Sequence, residues 1–185
     1  MDDGASSYRR FLNGDDSGFV DIIRDNMEPL IFYLNGFVNN LSTAEELAED
    51  TFVKIAIKKP RFNGKSSFKT WLFAIGRNVA VDYCRRQAIR REISLDDCQN
   101  DSTDDDQLIC AYLKEERKAA IHRAMRCLKT EYRQVLWLTY FEEFTNRETA
   151  KIMRKTTHNI ETLLYRGRRS LKAKLDEEGF YYEEL

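Results

Sequence analysis

Residues that reverse a chain are scarce in this sequence: 185 residues contain only 8 Gly and 2 Pro. A sheet of short strands needs such residues at every turn. Leu, Ala, Lys, Arg and Glu are plentiful instead, and these are the good helix formers. The reading is therefore all-α, with long helices. Hydrophobic residues make up 42% of the chain, enough for packed cores. The length suits one ordinary domain or two small ones.

Apolar periodicity and caps divide the chain as follows. Asp16–Met27 reads as a helix with Phe19, Val20, Ile22 and Ile23 on its apolar side. Pro29 separates it from a second helix, Leu30–Asn39. Ser42 or Thr43 is expected to cap a third, since Glu46 follows Thr43 by three residues. Leu47, Phe52 and Ile55 form its inward stripe, and Glu45, Glu46, Glu49 and Asp50 face out. Pro60 ends it, and Arg61–Ser67 is a loop. Ser67 caps a helix from Phe68 to about Arg91, which begins apolar (Trp71, Leu72, Ile75, Val79) and ends basic (Arg85, Arg86, Arg90, Arg91). Ser94–Gln107 has no hydrophobic period and reads as a flexible acidic linker. Beyond it the expected helices are Leu113–Leu128, Glu131–Phe141 capped by Thr130, Arg147–Met153 capped by Thr145, and His158 to about Leu175. The acidic, aromatic tail Asp176–Leu185 has no assigned role.

Net charge is only −1, but the charges are segregated. Lys54–Arg91 carries eleven basic residues against Asp82 alone, and Glu92–Asp106 carries seven acidic residues with no basic one. Lys151–Lys174 carries eight basic residues against Glu161. Two basic blocks flanking an acidic one point to a polyanionic partner for each basic block.

Other function classes have little material. Cys84, Cys98, Cys110 and Cys127 form no CxxC pair and no Cys/His spacing typical of zinc, so no metal site is expected and the thiols read as reduced and cytosolic. With only His122 and His158, no paired His/Asp/Ser set and no glycine-rich phosphate loop, catalytic residues and cofactors are not expected either. No apolar run approaches the roughly 20 residues that span a bilayer, and the acidic start lacks a signal peptide's basic and apolar regions. The expected location is the cytoplasm, without membrane insertion.

Two constellations suit nucleic acid. Arg147–Met153, a three-residue turn and the longer helix after it form a helix-turn-helix pattern. Thr157, His158, Asn159, Glu161 and Thr162 occupy the leading end, where side chains meet base edges; Arg166, Arg168 and Arg169 lie farther along, where phosphates are expected. An amphipathic hairpin with a solvated basic face would show the same pattern. In the first half, Phe62, Phe68, Trp71 and Phe73 crowd near Lys65, Lys69 and Arg77. Rings for stacking beside cations for phosphates suit single-stranded nucleic acid. At helical spacing Phe68 and Trp71 also fit a core, whereas Phe62, in the loop, is less easily explained by packing.

Ala44-Glu45-Glu46-Leu47-Ala48-Glu49-Asp50-Thr51-Phe52 and Phe68-Lys69-Thr70-Trp71-Leu72-Phe73-Ala74-Ile75-Gly76-Arg77-Asn78 resemble region 2 of the extracytoplasmic-function (ECF) RNA polymerase sigma factors, group 4 of the sigma-70 family. Leu128–Leu171 resembles their region 4. The resemblance implies a region 2 helical bundle over 1–93, a linker over 94–112 and a region 4 helix-turn-helix domain over 113–185. It implies that Leu47, Glu49, Asp50 and Phe52 lie in the helix that docks on the β′ clamp helices of core RNA polymerase, while region 4 meets the β flap. Phe62, Lys65 and Asn78 would receive a base flipped from the minus-ten element, with Arg77, Arg85 and Arg86 on the DNA backbone. His158, Asn159, Glu161, Thr162, Arg166, Arg168 and Arg169 would read the minus-thirty-five element. An anti-sigma factor, in some cases membrane-bound, is the implied inhibitor. The chain departs from the family where Thr43 and Glu49 replace Asp and Gln, and where His158-Asn159-Ile160-Glu161-Thr162-Leu163 replaces a Gly-Thr-Val-Lys-Ser-Arg stretch. Glu161 there could accept from a cytosine amino group or be an exposed helix charge. A simple repressor or activator would share the helix-turn-helix but would need neither the loop at 62–67 nor the acidic helix.

Overall fold

The computed structural model describes residues 3–93, 121 and 124–177, with side chains at 90–93 outside the description. Its helices are α1 (Asp3–Leu12), α2 (Ser17–Val38), α3 (Leu41–Lys58), α4 (Phe68–Ile93), α5 (Thr130–Tyr140), α6 (Asn146–Met153) and α7 (Thr157–Glu177), and residues 124–126 are also helical. No strand occurs among the described residues. The expected linker at 94–107, most of the expected helix at 113–128 and the tail from 178 lie outside them.

Helices α1–α4 form an N-terminal bundle. α1, which periodicity did not reveal, buries Tyr8 and Phe11, and the Tyr8 hydroxyl donates to the Pro60 carbonyl at 2.7 Å. α2 runs unbroken through Pro29, where two helices were expected. Proline removes one donor and crowds the preceding turn. Here Ile22, Asn26, Leu30, Tyr33 and Leu34 nevertheless share one buried side, so packing on both flanks holds the axis together. Asn39, left-handed at φ 55°, ends α2, and one residue later Asn40 starts α3 by accepting from the Thr43 N–H at 2.8 Å. The expected caps Ser42 and Thr43 are thus already inside the first turn: so tight a connection leaves only Asn40 in the extended conformation that a cap needs. Ser67 does cap α4, accepting from the Thr70 N–H at 3.2 Å.

In the C-terminal half, α5 begins at Thr130 itself. Lys129 occupies the cap position without a side-chain bond. Thr145 closes a full capping box on α6 with Glu148. Arg154, left-handed at φ 54°, ends α6 and turns the chain toward α7.

The two halves pack against each other. Phe32 of α2 lies 5.8 Å from Trp137 of α5, and Phe73 of α4 lies 5.2 Å from Phe144, in the α5–α6 connection. Around these rings the Lys69 ammonium pairs with the Glu142 carboxylate at 2.9 Å, Lys151 Nζ donates to the Lys65 carbonyl at 2.7 Å, and Arg133 donates to Asn39 Oδ1 at 3.2 Å. A cavity of about 20 Å³ between α2 and α5 is lined by Tyr33, Asn35, Arg133 and Trp137, among others.

Candidate nucleic-acid interface

α6, the turn 154–156 and α7 form the helix-turn-helix that the sequence predicts. Ile160, Leu164 and Gly167 of α7 are buried, spaced at four and three residues, with Leu163 and Leu171 against the same core. That stripe fixes the roll of the helix. The opposite face consequently presents His158, Asn159, Glu161, Arg166, Arg168 and Arg169 to solvent. The start of α7 is held by Thr156, whose hydroxyl accepts from the Asn159 N–H at 3.1 Å, and the turn is tied to α5 by Lys155–Glu131 at 2.8 Å.

Thr162 differs from its expected neighbours. It is half-buried and its hydroxyl donates to the His158 carbonyl at 3.1 Å, so its proton is spent inside the helix. His158 Nδ1 and Glu161 Oε2 stand 4.0 Å apart on the open face. Arg168 donates to the Tyr140 hydroxyl at 3.3 Å, which orients its guanidinium. Tyr165, 62% exposed, occupies the same face. Its spacing of four from Glu161 and seven from His158 carried that signal, though the sequence reading passed over it.

The loop before α4 is built as a platform. Asn63 Oδ1 accepts from the Lys65 N–H at 3.0 Å, and Gly64 takes φ +68°, a left-handed conformation that glycine adopts without a Cβ penalty. The turn leaves Arg61 and Lys65 exposed. Phe62 is half-buried, edge-on to Phe68 at 5.7 Å and to Trp71 at 5.4 Å. It thus belongs to an aromatic cluster that also contains Tyr8, and packing accounts for one face of its ring. Phe68 is fully buried.

On α4, Asn78 is half-buried and Arg85 and Arg86 are exposed, with Arg85 3.9 Å from Asp82. Arg77 is half-buried, and its Nε is buried without a hydrogen-bond partner. It lies close to Tyr33, whose phenol is pushed up by complete burial and only partly drawn back by the Arg77 charge. The structure thus brings Phe62 and Lys65 together at the loop and places Asn78 and the arginines farther along α4.

Leu47 and Phe52 of α3 are core residues, 2% and 3% exposed. They set the helix and cannot themselves touch a partner while it stays folded. Glu49 and Asp50 lie on the surface. One and two turns on, Val53 and Ile57 are exposed at 52% and 76%, which makes an acidic face with an apolar end. Their spacing of four, off the register of the buried stripe, was legible but unread.

Among the described residues no group of His, Cys, Asp and Glu could hold a metal ion, and no helix is long and apolar enough to cross a membrane.

Comparison with known proteins agrees with this arrangement. The profile of sigma-70 region 2 matches residues 22–89 and that of sigma-70 region 4 matches residues 118–171. The chain is 31% identical over 156 residues to the RNA polymerase sigma factor YlaC of Bacillus subtilis, covering 82% of this chain and 88% of that one. It is 28% identical to the ECF RNA polymerase sigma factor SigX of the same organism, over 84% of this chain and 81% of that one. In fold it is similar to the sigma factor RpoE of Bartonella quintana, solved with the anti-sigma factor NepR, at a TM-score of 0.67 and 21% identity over 85% of this chain and 96% of that one. It is also similar to CnrH, solved with the cytosolic domain of CnrY, at a TM-score of 0.64 and 22% identity over 95% and 96%. The two matched regions, in order on an all-helical chain, carry the conclusion: this protein belongs to the ECF sigma factors of RNA polymerase.

Proposed function

We propose that this sigma factor divides its work among three exposed faces. The face of α3 bearing Glu49, Asp50, Val53 and Ile57 docks on the β′ clamp helices of core polymerase, with Leu47 and Phe52 fixing it from behind. The loop at 62–67 and the adjoining length of α4 take the minus-ten element. Lys65, Arg77, Arg85 and Arg86 serve the backbone, while Phe62 and Asn78 serve an extruded base, whose flipping costs a few kcal/mol. The open face of α7 takes the minus-thirty-five element. His158, Asn159, Glu161 and Tyr165 lie toward base edges, with Arg166, Arg168 and Arg169 on phosphates. Thr162 acts through its bond to the His158 carbonyl.

The observation that carries this reading is the roll of α7. Its buried stripe leaves every other expected base- and phosphate-reading side chain on one uncovered face. Working units of 1–93 and 113–185, joined through 94–112, fit the same reading. Bond making belongs to the polymerase, and the sigma factor supplies placement and strand opening in the cytoplasm. An anti-sigma factor is the natural inhibitor, a partner of the kind with which RpoE was solved.

In vitro transcription with core polymerase from a matched species tests this. Specific initiation should appear only with the protein present. Asn78→Ala and Lys65→Ala should lower promoter opening more than closed-complex binding. Core polymerase that gains neither binding nor specificity from the protein would leave a simple DNA-binding regulator as the better account.

A further inference from the structure

The loop between α3 and α4 has little backbone structure of its own. Among the described residues, no backbone N–H of residues 60–67 donates to a backbone carbonyl. Side chains hold the loop instead. Asn63 takes the Lys65 N–H inside the turn, and Lys151 of α6 reaches the Lys65 carbonyl. A further fastening comes from α1, which begins ahead of the residues matched to region 2.

One residue of α1 holds both ends of the loop. Tyr8 is 1% exposed, and its hydroxyl donates to the Pro60 carbonyl, at the loop's entry, at 2.7 Å. Lys59 has just ended α3 in the left-handed conformation, and Pro60 has no N–H, so its carbonyl is the backbone group left to anchor there. The ring of Tyr8 lies 5.5 Å from Phe68 and 5.2 Å from Trp71, at the loop's exit. These are the two rings against which Phe62 stands edge-on. Phe62 is therefore placed from behind by two routes. One is the chain from Pro60, two residues away, and the other is the pair Phe68 and Trp71. α1 is itself firmly seated. The Lys59 ammonium lies 4.8 Å from the centre of the Phe11 ring, and Arg10 pairs with Asp21 of α2. Gly4 approaches Phe68 so closely that a Cβ would stand 2.6 Å from its ring.

Packing alone does not call for the Tyr8 hydroxyl. A phenylalanine would fill the same space and meet the same rings. The hydroxyl adds a donor for one carbonyl, and burial raises the pKa of the phenol, so the donated proton stays in place. Without that donor the half-buried Pro60 carbonyl must turn toward water, and the chain leading to Phe62 turns with it.

We propose that Tyr8 is a positioning residue for minus-ten recognition. It touches no DNA; its hydroxyl and ring together set the place from which Phe62 and Lys65 meet the extruded base and its backbone. The inference rests on the minus-ten role proposed for that loop, and it makes α1 part of the selective apparatus.

The test uses the full chain assembled with core polymerase, on a promoter from which the unaltered holoenzyme initiates. Tyr8→Phe keeps the ring and drops the hydroxyl. Its holoenzyme should discriminate about three- to fivefold less between that promoter and derivatives substituted one base at a time across the minus-ten element, read as open-complex formation. Affinity for core polymerase and for a minus-thirty-five duplex should not move. A loss of stability alone would lower all of these together and leave the discrimination ratio intact. In a Phe62→Ala background, Tyr8→Phe should change the ratio no further. Loop position is read without DNA. With Trp137→Phe, Trp71 is the sole tryptophan, and Tyr8→Phe should increase acrylamide quenching of its emission as Phe62 moves off its edge. A Tyr8→Phe protein with unchanged circular dichroism and unchanged Trp71 quenching overturns the proposal. So does one whose selectivity is unchanged while Phe62→Ala lowers it. Increased quenching with selectivity indifferent to both Tyr8→Phe and Phe62→Ala would uphold the hold of Tyr8 on the loop and overturn the loop's assignment to the minus-ten strand.

Discussion

The hydroxyl of Thr70 donates to the Glu148 carboxylate at 3.1 Å, across 78 residues of chain. Thr145 bonds the other oxygen of the same carboxylate. Separating those two roles gives the first prediction. Thr145→Ala removes the cap and should cost about 1 kcal/mol of stability in urea denaturation. Thr70→Val should cost α6 nothing, yet loosen the junction. If Thr145→Ala expands the molecule as much as Thr70→Val does, the two roles are not separable.

Acid should act on the same carboxylate. Burial tends to raise the Glu148 pKa, but hydrogen bonds from Thr145, Thr70 and Ser67 outweigh it and hold the group below its ordinary value. A folded pKa lower than the unfolded one stabilises fully above the ordinary glutamate range. That contribution is lost as pH falls through the lower folded value. Scattering followed from pH 6 downward should therefore show expansion only below about pH 4.3. Glu148→Gln should remove part of that response, and an identical acid profile in the variant would refute it.

Arg169 is exposed on α7, and unlike Arg168 it has no bond to Tyr140. Arg169→Gln should weaken binding to minus-thirty-five duplexes of any sequence and reduce the salt slope by about one. Asn159→Ala should instead change which sequences are preferred. Titrations at several salt concentrations would tell these effects apart.

Gly18 marks where α1 docks on α2. A Cβ there would fall against the Ser7 carbonyl oxygen and within 3.0 Å of the Phe11 backbone nitrogen. Because these are backbone atoms, neither can swing aside. Gly18→Ala should cost about 1–3 kcal/mol of stability by overpacking, measurable as a lower denaturation midpoint.

The sequence marked most helices because their signals are local. Thr145 and Ser67 stand at real caps, and the register of Ile160, Leu164 and Gly167 fixes α7. Where spacing misled, a neighbouring element had changed the local problem. Asn39 ended α2 so abruptly that Asn40 had to cap α3. Shared burial carried α2 through Pro29. α1 escaped notice because its apolar residues are few and bury against α2, the start of α4 and the Pro60 segment, all distant in sequence or irregular. The junction between halves was illegible for a different reason: its bonds and ion pair join residues some 73 to 94 positions apart, and no periodicity links Glu148 to Thr70 or Arg133 to Asn39. Leu47 and Phe52 show the converse, since a motif resemblance marks residues that matter without distinguishing a surface contact from its buried support.

Trp137 stacks on Phe141 at 4.3 Å, faces Phe32 across the junction and donates its indole N–H to Glu142. The chain has only one other tryptophan, Trp71, in the aromatic cluster of the N-terminal bundle. Parting the halves strips Phe32 from the Trp137 ring and admits water beside it, while Trp71 keeps its neighbours. The protein thus contains a native optical reporter: in a Trp71→Phe background, a red shift of ultraviolet emission in a stopped-flow mixing experiment would time the separation as core polymerase captures the molecule, without any attached dye.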